Sequence, residues 1–315
     1  MFDPENFIEE KIEELKKQID AKAIIGASGG VDSTVAAVLT SRAIGDKLVA
    51  VFVDTGFVRK GETEFVGNML RDLNVNFKIY EAGNEYFEAL RGVTEPEEKR
   101  RIIGEKFIRN FEKVARDEKA KYLVQGTIAP DWIESGGGLR DTIKSHHNVG
   151  ALPKEMDLEL VEPLRDLYKD EVRKVARVLG IPVSERQPFP GPGLAVRIIG
   201  EATPEATKII REACAIVEEE IDSASEKKEM ERPWQYFAVL LPVKSVGVQG
   251  DIRAYGYTIV VRAVQSVDGM TAAYSKIPHD VLERISSRIT NSMKDKVNRI
   301  VYDITNKPPA TIEWE

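Results

Sequence analysis

Seven consecutive residues, Ser28, Gly29, Gly30, Val31, Asp32, Ser33 and Thr34, have the types and spacing to do chemistry. Ser28, Ser33 and Thr34 supply hydroxyl donors. Gly29 and Gly30 let the main chain turn sharply and approach a ligand closely. Asp32 is the odd member, because a carboxylate repels a phosphate unless a cation stands between them. The set therefore points to a Mg²⁺-bound phosphate group with Asp32 on the metal side. The flanking elements suit that task. Residues 21–27 read as a short buried strand, and residues 34–43 as a helix. Strand, glycine-rich turn and helix together aim main-chain N–H groups and a positive helix end at an anion. The spacing fits neither G-x-x-x-x-G-K-S/T nor G-x-G-x-x-G. A serine-capped polar turn is the plain alternative.

Composition sets the frame. A chain of 315 residues holds about two domains. With 42% hydrophobic residues it is an ordinary soluble protein. No run reaches the ~18 apolar residues of a membrane-spanning helix. The first ten residues, Met-Phe-Asp-Pro-Glu-Asn-Phe-Ile-Glu-Glu, lack a basic region and an apolar core, so no signal peptide and a cytoplasmic location are expected. One cysteine excludes an intrachain disulfide and a cysteine-based zinc site. Net charge −7 argues against general nucleic-acid binding. The 31% charged content leans towards a thermophile.

The elements around the loop follow from periodicity. Phe7, Ile8, Ile12, Leu15 and Ile19 give a helix over 4–19. Residues 47–53, ending at Val53, form an apolar run suited to a parallel strand covered on both faces. A helix at 62–73 and a strand at 75–80 follow. Alternating strands and helices predict a doubly wound, mostly parallel α/β sheet, with ligands at the strand C-termini. Ser28–Thr34 and Asp54-Thr55-Gly56 then share one rim. Residues 83–101 carry weaker structure up to a helix starting at Pro96, whose buried face is Ile103, Phe107, Phe111 and Val114. Taken alone, Lys99-Arg100-Arg101 reads as a solvated helix face. A strand at 121–125 leads to Gly126 and Asp131, and then to a glycine-rich loop over 134–148. His146 and His147 in that loop read as polar loop residues rather than metal ligands. A strand at 158–164 and a helix capped by Asp166 complete this part.

Three prolines and two glycines in residues 187–194 mark a boundary, giving an expected division into 1–187 and 188–315. Beyond it come a helix over 204–223, strands near 234–242, 243–250 and 256–265, a helix over 279–293 and a strand over 297–304. These predict a smaller α+β domain whose sheet edges invite a homodimer. Cys214, at helical spacing among apolar residues, reads as a core thiol. In the tail, Pro308 and Pro309 stiffen the chain. If the tail is extended, Ile312 and Trp314 anchor it and Glu313 points the other way.

The S-G-G-x-D-S pattern resembles the pyrophosphate loop of ATP pyrophosphatases, which cleave ATP to AMP and pyrophosphate. Further stretches are similar to the synthetase part of the glutamine-hydrolysing GMP synthase family. They are 54–60, 97–104, 125–127, 130–131, 143–148, 189–194, 241–242, 246–251 and 307–315. The resemblance implies that the C2 oxygen of XMP attacks the α-phosphorus of ATP, and that ammonia then displaces AMP to give GMP. It implies catalytic roles for Asp32 and Lys144. It assigns ATP and pyrophosphate to Ser28–Thr34, Val53, Gly126 and Asp131, with Mg²⁺ at Asp32 through pyrophosphate. It assigns XMP to Arg100, Gln235, Asp251, Lys307 and Glu313. Many members carry a glutamine amidotransferase domain ahead of this region, whereas this chain starts almost at the ATP domain. Ammonia from a separate glutaminase subunit is therefore expected, together with a homodimer through the C-terminal domain. An NAD synthetase or tRNA-thiolating enzyme, or a nucleotide-sensing RNA-binding protein, remain alternatives.

Overall fold

The computed structural model describes residues 2–129, 158–182, 186–249 and 252–315. The chain forms two compact units. The first comprises Met1–Thr55, Gly61–Ala82 and Gly104–Arg186; the second comprises Gly56–Lys60, Gly83–Ile103 and Gln187–Glu315. The second unit thus draws on two segments that precede residue 187.

The first unit begins with α1 (Pro4–Gln18). Asp3 caps it by accepting from Glu5 N at 3.0 Å, and Pro4 occupies the first turn, where a missing N–H costs nothing. Next come β1 (Ala23–Gly26), α2 (Val31–Ile44), β2 (Leu48–Asp54), α3 (Glu62–Asp72) and β3 (Phe77–Glu81). After α4 (Gly83–Ala89) and α5 (Pro96–Glu118), β4 (Tyr122–Val124), β5 (Glu159–Val161) and α6 (Lys169–Val178) follow. The strands form one sheet in the order β3-β2-β1-β4-β5, with every neighbour parallel. Strands β1 and β2 are almost wholly buried, as their unbroken apolar runs require. The chain builds outward from β1 first through β2 and β3, then on the other side through β4 and β5. The switch therefore falls between β1 and β4, where a doubly wound sheet opens a crevice at its strand C-termini. Residues 27–30 leave β1 at that point.

Two expectations need correction here. The strand expected over 158–164 is confined to Glu159–Val161. Pro163 has no N–H to extend the ladder, and the chain turns with Leu167 N donating to Leu164 O. The next helix is capped at Tyr168, not Asp166, through the Glu171 carboxylate, which accepts from Tyr168 N at 2.9 Å.

In the second unit, α4 is helical where weak structure was expected. Tyr86 and Leu90 are buried, and the Phe87 ring meets Phe57 edge-on at 5.0 Å. Helix α7 (Pro204–Glu226) is capped by Thr203, whose hydroxyl accepts from Ala206 N at 3.1 Å. It packs on a sheet of β6 (Gln235–Gln249), β7 (Ile252–Gln265), β8 (Ala273–Tyr274) and β9 (Val297–Asp303), with α8 (His279–Ser292) between the last two in the chain. Strand β7 runs antiparallel to β6 and β8 and parallel to β9. The two strands expected over 234–250 are one. Pro242 lies in a register shift between Leu240 and Lys244, a bulge that bends β6 without ending it. Among the described residues no helix is long and apolar enough to cross a membrane.

Candidate functional site

The loop after β1 is held by its own backbone. Ala27 N donates to Val51 O at 2.9 Å, which extends the sheet to the loop's edge. Gly29 has φ +75, and a Cβ there would stand 3.0 Å from both Glu62 Oε1 and Val66 Cγ2. The Ser33 and Thr34 hydroxyls reach back to Gly30 O at 3.2 and 2.8 Å, and the Ser28 and Ser33 oxygens are 2.9 Å apart. Gly30 is the N-cap of α2 and contributes no side-chain cap. The first-turn N–H groups of α2 therefore point beyond the helix, the arrangement that receives an anion. Gly126, just past β4, closes the other side. A Cβ on it would stand 2.9 Å from the Asp32 carbonyl carbon and from Ser33 N, so only glycine lets the two segments meet. Val53 is buried in β2, one residue before Asp54, whose carboxylate accepts from Thr63 Oγ1 at 2.6 Å.

Asp32 sits in the first turn of α2, where the helix dipole favours a carboxylate. One oxygen, Oδ2, lies 2.5 Å from Lys169 Nζ, at the start of α6. The other, Oδ1, is buried with no hydrogen-bond partner. An orphaned, anionic oxygen beside an anion-receiving turn suits a hard cation such as Mg²⁺ carried by a polyphosphate. Among the described residues no group of three or more His, Cys, Asp or Glu side chains makes a metal site on its own. Behind Gly29, Arg186 clamps Glu62 with two bonds of 2.9 and 2.6 Å and stacks on Phe65.

The second unit gathers a different set. Gln235 Nε2, at the start of β6, donates to Glu313 Oε1 at 2.9 Å and to Pro188 O at 3.3 Å. Arg197 is fully buried and grips the same carboxylate, with Nη2 donating to Oε1 at 2.9 Å and Nε to Oε2 at 3.2 Å. Burial pulls the Arg197 pKa down, but the Glu313 charge leads the effects that oppose it, and the net shift is upward. Arg100 donates to the main-chain oxygen of Glu315, and neighbouring Lys99 pairs with the Glu315 side chain. Burial pushes the Lys99 ammonium down and the Glu315 carboxyl up, each opposed by the other. Lys99 is wholly buried, Arg100 half-buried and Arg101 exposed. The 99–101 run is thus not a solvated face.

Of the residues expected to meet XMP, Gln235 and Glu313 are bonded to each other, and Arg100 reaches the chain two residues beyond Glu313. Lys307 does not join them. It donates from its side chain to Gly269 O at 2.9 Å, and its main chain bridges Ala272. The tail bends at 312–313 rather than running extended. Ile312 is buried as expected, but Trp314 is 40% exposed and donates from its indole N–H to Asp303 at 3.0 Å. Buried Arg262 fixes the bend by donating to the Thr305, Thr311 and Ile312 carbonyls. Asp131, Lys144, His146, His147 and Asp251 lie outside the described residues.

Sequence reasoning passed over Arg197, Arg262, Lys169, Glu62 and Arg186. For Arg197 and Arg262 a signal existed. Each is a lone cation inside an apolar run, Leu194-Ala-Val-Arg-Ile-Ile199 and Ile259-Val-Val-Arg-Ala-Val264, where a charge must be buried and paired. Lys169 stands in an ordinary Lys-Asp-Glu helix start and gave none.

Comparison with known proteins places this arrangement in a family. The family model described as GMP synthase C terminal domain matches residues 219–314. That described as NAD synthase matches residues 3–128. The B subunit of GMP synthase (glutamine-hydrolyzing) from Methanopyrus kandleri is 61% identical, covering 100% of both chains. The proteins of that name from Pyrococcus furiosus and Methanocaldococcus jannaschii are 62% and 60% identical, covering 99% and 100% of this chain and 97% and 100% of theirs. Among solved structures, the NMN synthetase from Francisella tularensis is similar over 61% of this chain and 78% of its own, with 18% identity and a TM-score of 0.47. The chain belongs to the family formed by the B subunits of GMP synthase (glutamine-hydrolyzing), and is an enzyme, a ligase of the ATP pyrophosphatase fold.

Proposed function

We propose that the chain adenylates XMP at its C2 oxygen with ATP and aminates the product with ammonia, giving GMP, AMP and pyrophosphate. In the first unit, Ser28–Thr34 hold the pyrophosphate portion of ATP through the first-turn N–H groups of α2 and the Ser28 and Ser33 hydroxyls. Asp32, through its unpartnered Oδ1, would hold a magnesium ion carried by ATP, and that ion would supply positive charge against the departing pyrophosphate. Lys169 keeps the Asp32 carboxylate in place and adds a second positive charge at the loop. Val53, Gly126 and Asp131 belong to the ATP side, and Lys144 assists at the transferred phosphorus.

In the second unit, Arg100 takes the XMP phosphate, for which a guanidinium fork is well shaped. Gln235 and Glu313 take the polar edge of the base. Asp251 and Lys307 also contact the nucleotide. The observation that carries this reading is the bond between Gln235 and Glu313, which brings together residues 78 positions apart around one carboxylate. Ammonia comes from a separate glutamine amidotransferase subunit. The chain pairs with a second copy through its second unit, a reading supported by Val243, Val246, Val248, Ile252 and Tyr255, all exposed on the β6–β7 ribbon.

The test is incubation with ATP, Mg²⁺, XMP and ammonium, with chromatographic analysis of GMP, AMP and pyrophosphate in equal amounts. ATP cleavage that proceeds equally well without XMP would remove XMP as the acceptor.

A further inference from the structure

We propose that Arg197 is the positioning residue for XMP, holding the Glu313 carboxylate in the one orientation that receives the N–H edge of the base. This rests on the reading that Glu313 contacts XMP.

Arg197 ends the short turn Gly193–Arg197 and is wholly buried, while the Glu313 side chain keeps 17% of its surface. The guanidinium is therefore closed off, and Glu313 is the member of the pair whose side chain keeps exposed surface. The rings of Phe189 and Phe237 lie 5.1 and 4.2 Å from the Arg197 guanidinium carbon. They fix its plane and offset part of the cost of burying the cation. The two donors of a planar fork then fix the plane of the carboxylate, which a lysine point charge does not do. Glu313 Oε1 accepts from both Arg197 and Gln235, and Oε2 accepts from Arg197 alone. A carboxylate has about four acceptor positions, so the three bonds leave room for a ligand donor, foremost on Oε2. A xanthine base carries ring N–H groups on either side of its C2 oxygen. A carboxylate held in one plane distinguishes such an edge from one that presents acceptors. On the far side, Cys214 Sγ lies 3.9 Å from Arg197 Nη1, so that face of the fork meets the core rather than a ligand.

The test compares Arg197→Lys, Glu313→Gln, Glu313→Asp and the double Arg197→Lys/Glu313→Gln in the full chain, with ammonium as nitrogen source. KM for XMP, KM for ATP and kcat are measured separately, and folding is checked by thermal melting. Loss of a charge-assisted bond predicts that Arg197→Lys raises KM for XMP at least about tenfold, with KM for ATP within about twofold. The double variant is expected to be no worse than Glu313→Gln, because both changes remove one interaction. A folded Arg197→Lys with wild-type KM for XMP, or losses that multiply in the double variant, overturns the proposal. If Arg197→Lys does not fold, Glu313→Asp decides. It keeps the charge but withdraws the carboxylate, so KM for XMP is expected to rise as in Glu313→Gln; a wild-type value overturns the proposal. A wild-type KM for XMP in Glu313→Gln is a different outcome, which removes the underlying reading of Glu313 itself.

Discussion

Lys169 Nζ lies 2.5 Å from Asp32 Oδ2, across 137 residues of sequence, while the second oxygen of the same carboxylate is buried without a hydrogen bond. One oxygen of the carboxylate is thus satisfied by the protein and the other is not. Asp32→Asn keeps the shape and removes the charge. It is expected to lower turnover at least ~10²-fold, as loss of a transition-state electrostatic partner does. The melting temperature changes little, because Lys169 is 45% exposed and water takes over its charge. Turnover near wild type would place Asp32 away from the metal.

Cys214 is the one cysteine that could serve as a nucleophile for glutamine hydrolysis. Its thiol is buried and its pKa is pushed up by that burial, so it is a poor nucleophile. The purified chain is expected to use ammonium and not glutamine, and Cys214→Ala retains ammonia-dependent turnover. Glutamate release from glutamine by partner-free protein would contradict this.

Arg100 is half-buried and donates to the main chain at Glu315. Arg100→Ala is expected to raise Kd for XMP about tenfold, the worth of one charge-assisted bond, and to leave Kd for ATP unchanged. Isothermal titration with each nucleotide checks this. Equal losses for both would move Arg100 from the XMP phosphate to another role.

Deleting residues 307–315 is expected to abolish GMP formation. It also removes the partners of two fully buried cations, since Arg197 pairs with Glu313 and Lys99 with Glu315. An unpaired buried charge costs about 3–5 kcal/mol, so the truncated chain also loses melting temperature. Unchanged stability and unchanged XMP affinity together would reduce the segment to a dispensable tail.

The Lys99–Glu315 pair gives a sharper stability test. Lys99→Met leaves Glu315 buried and is expected to cost about 3–5 kcal/mol, while Lys99→Met/Glu315→Leu recovers most of that because an apolar pair has no charge to desolvate. Denaturant titration of both variants reads the difference. A double variant no more stable than Lys99→Met would show that the pair is not coupled.

The sequence by itself determined the α/β class, the strand–turn–helix context of Ser28–Thr34 and the family. These depend on local pattern: unbroken apolar runs for β1 and β2, a Ser-Gly-Gly-Val-Asp-Ser turn between strand and helix, and a helix start at Pro96. Such signals survive without neighbours, because side-chain periodicity and turn chemistry are set within a few residues. Only the tertiary structure decided which charges meet. That Lys99 is buried while Arg101 is exposed depends on what packs on each side of one helix turn. That β6 continues through Pro242 depends on a partner strand able to absorb a bulge. That Arg197, Gln235 and Glu313 share one carboxylate, and Asp32 and Lys169 another, depends on contacts between residues far apart in the chain. A buried charge has to find its counter-charge, but no local pattern names the partner.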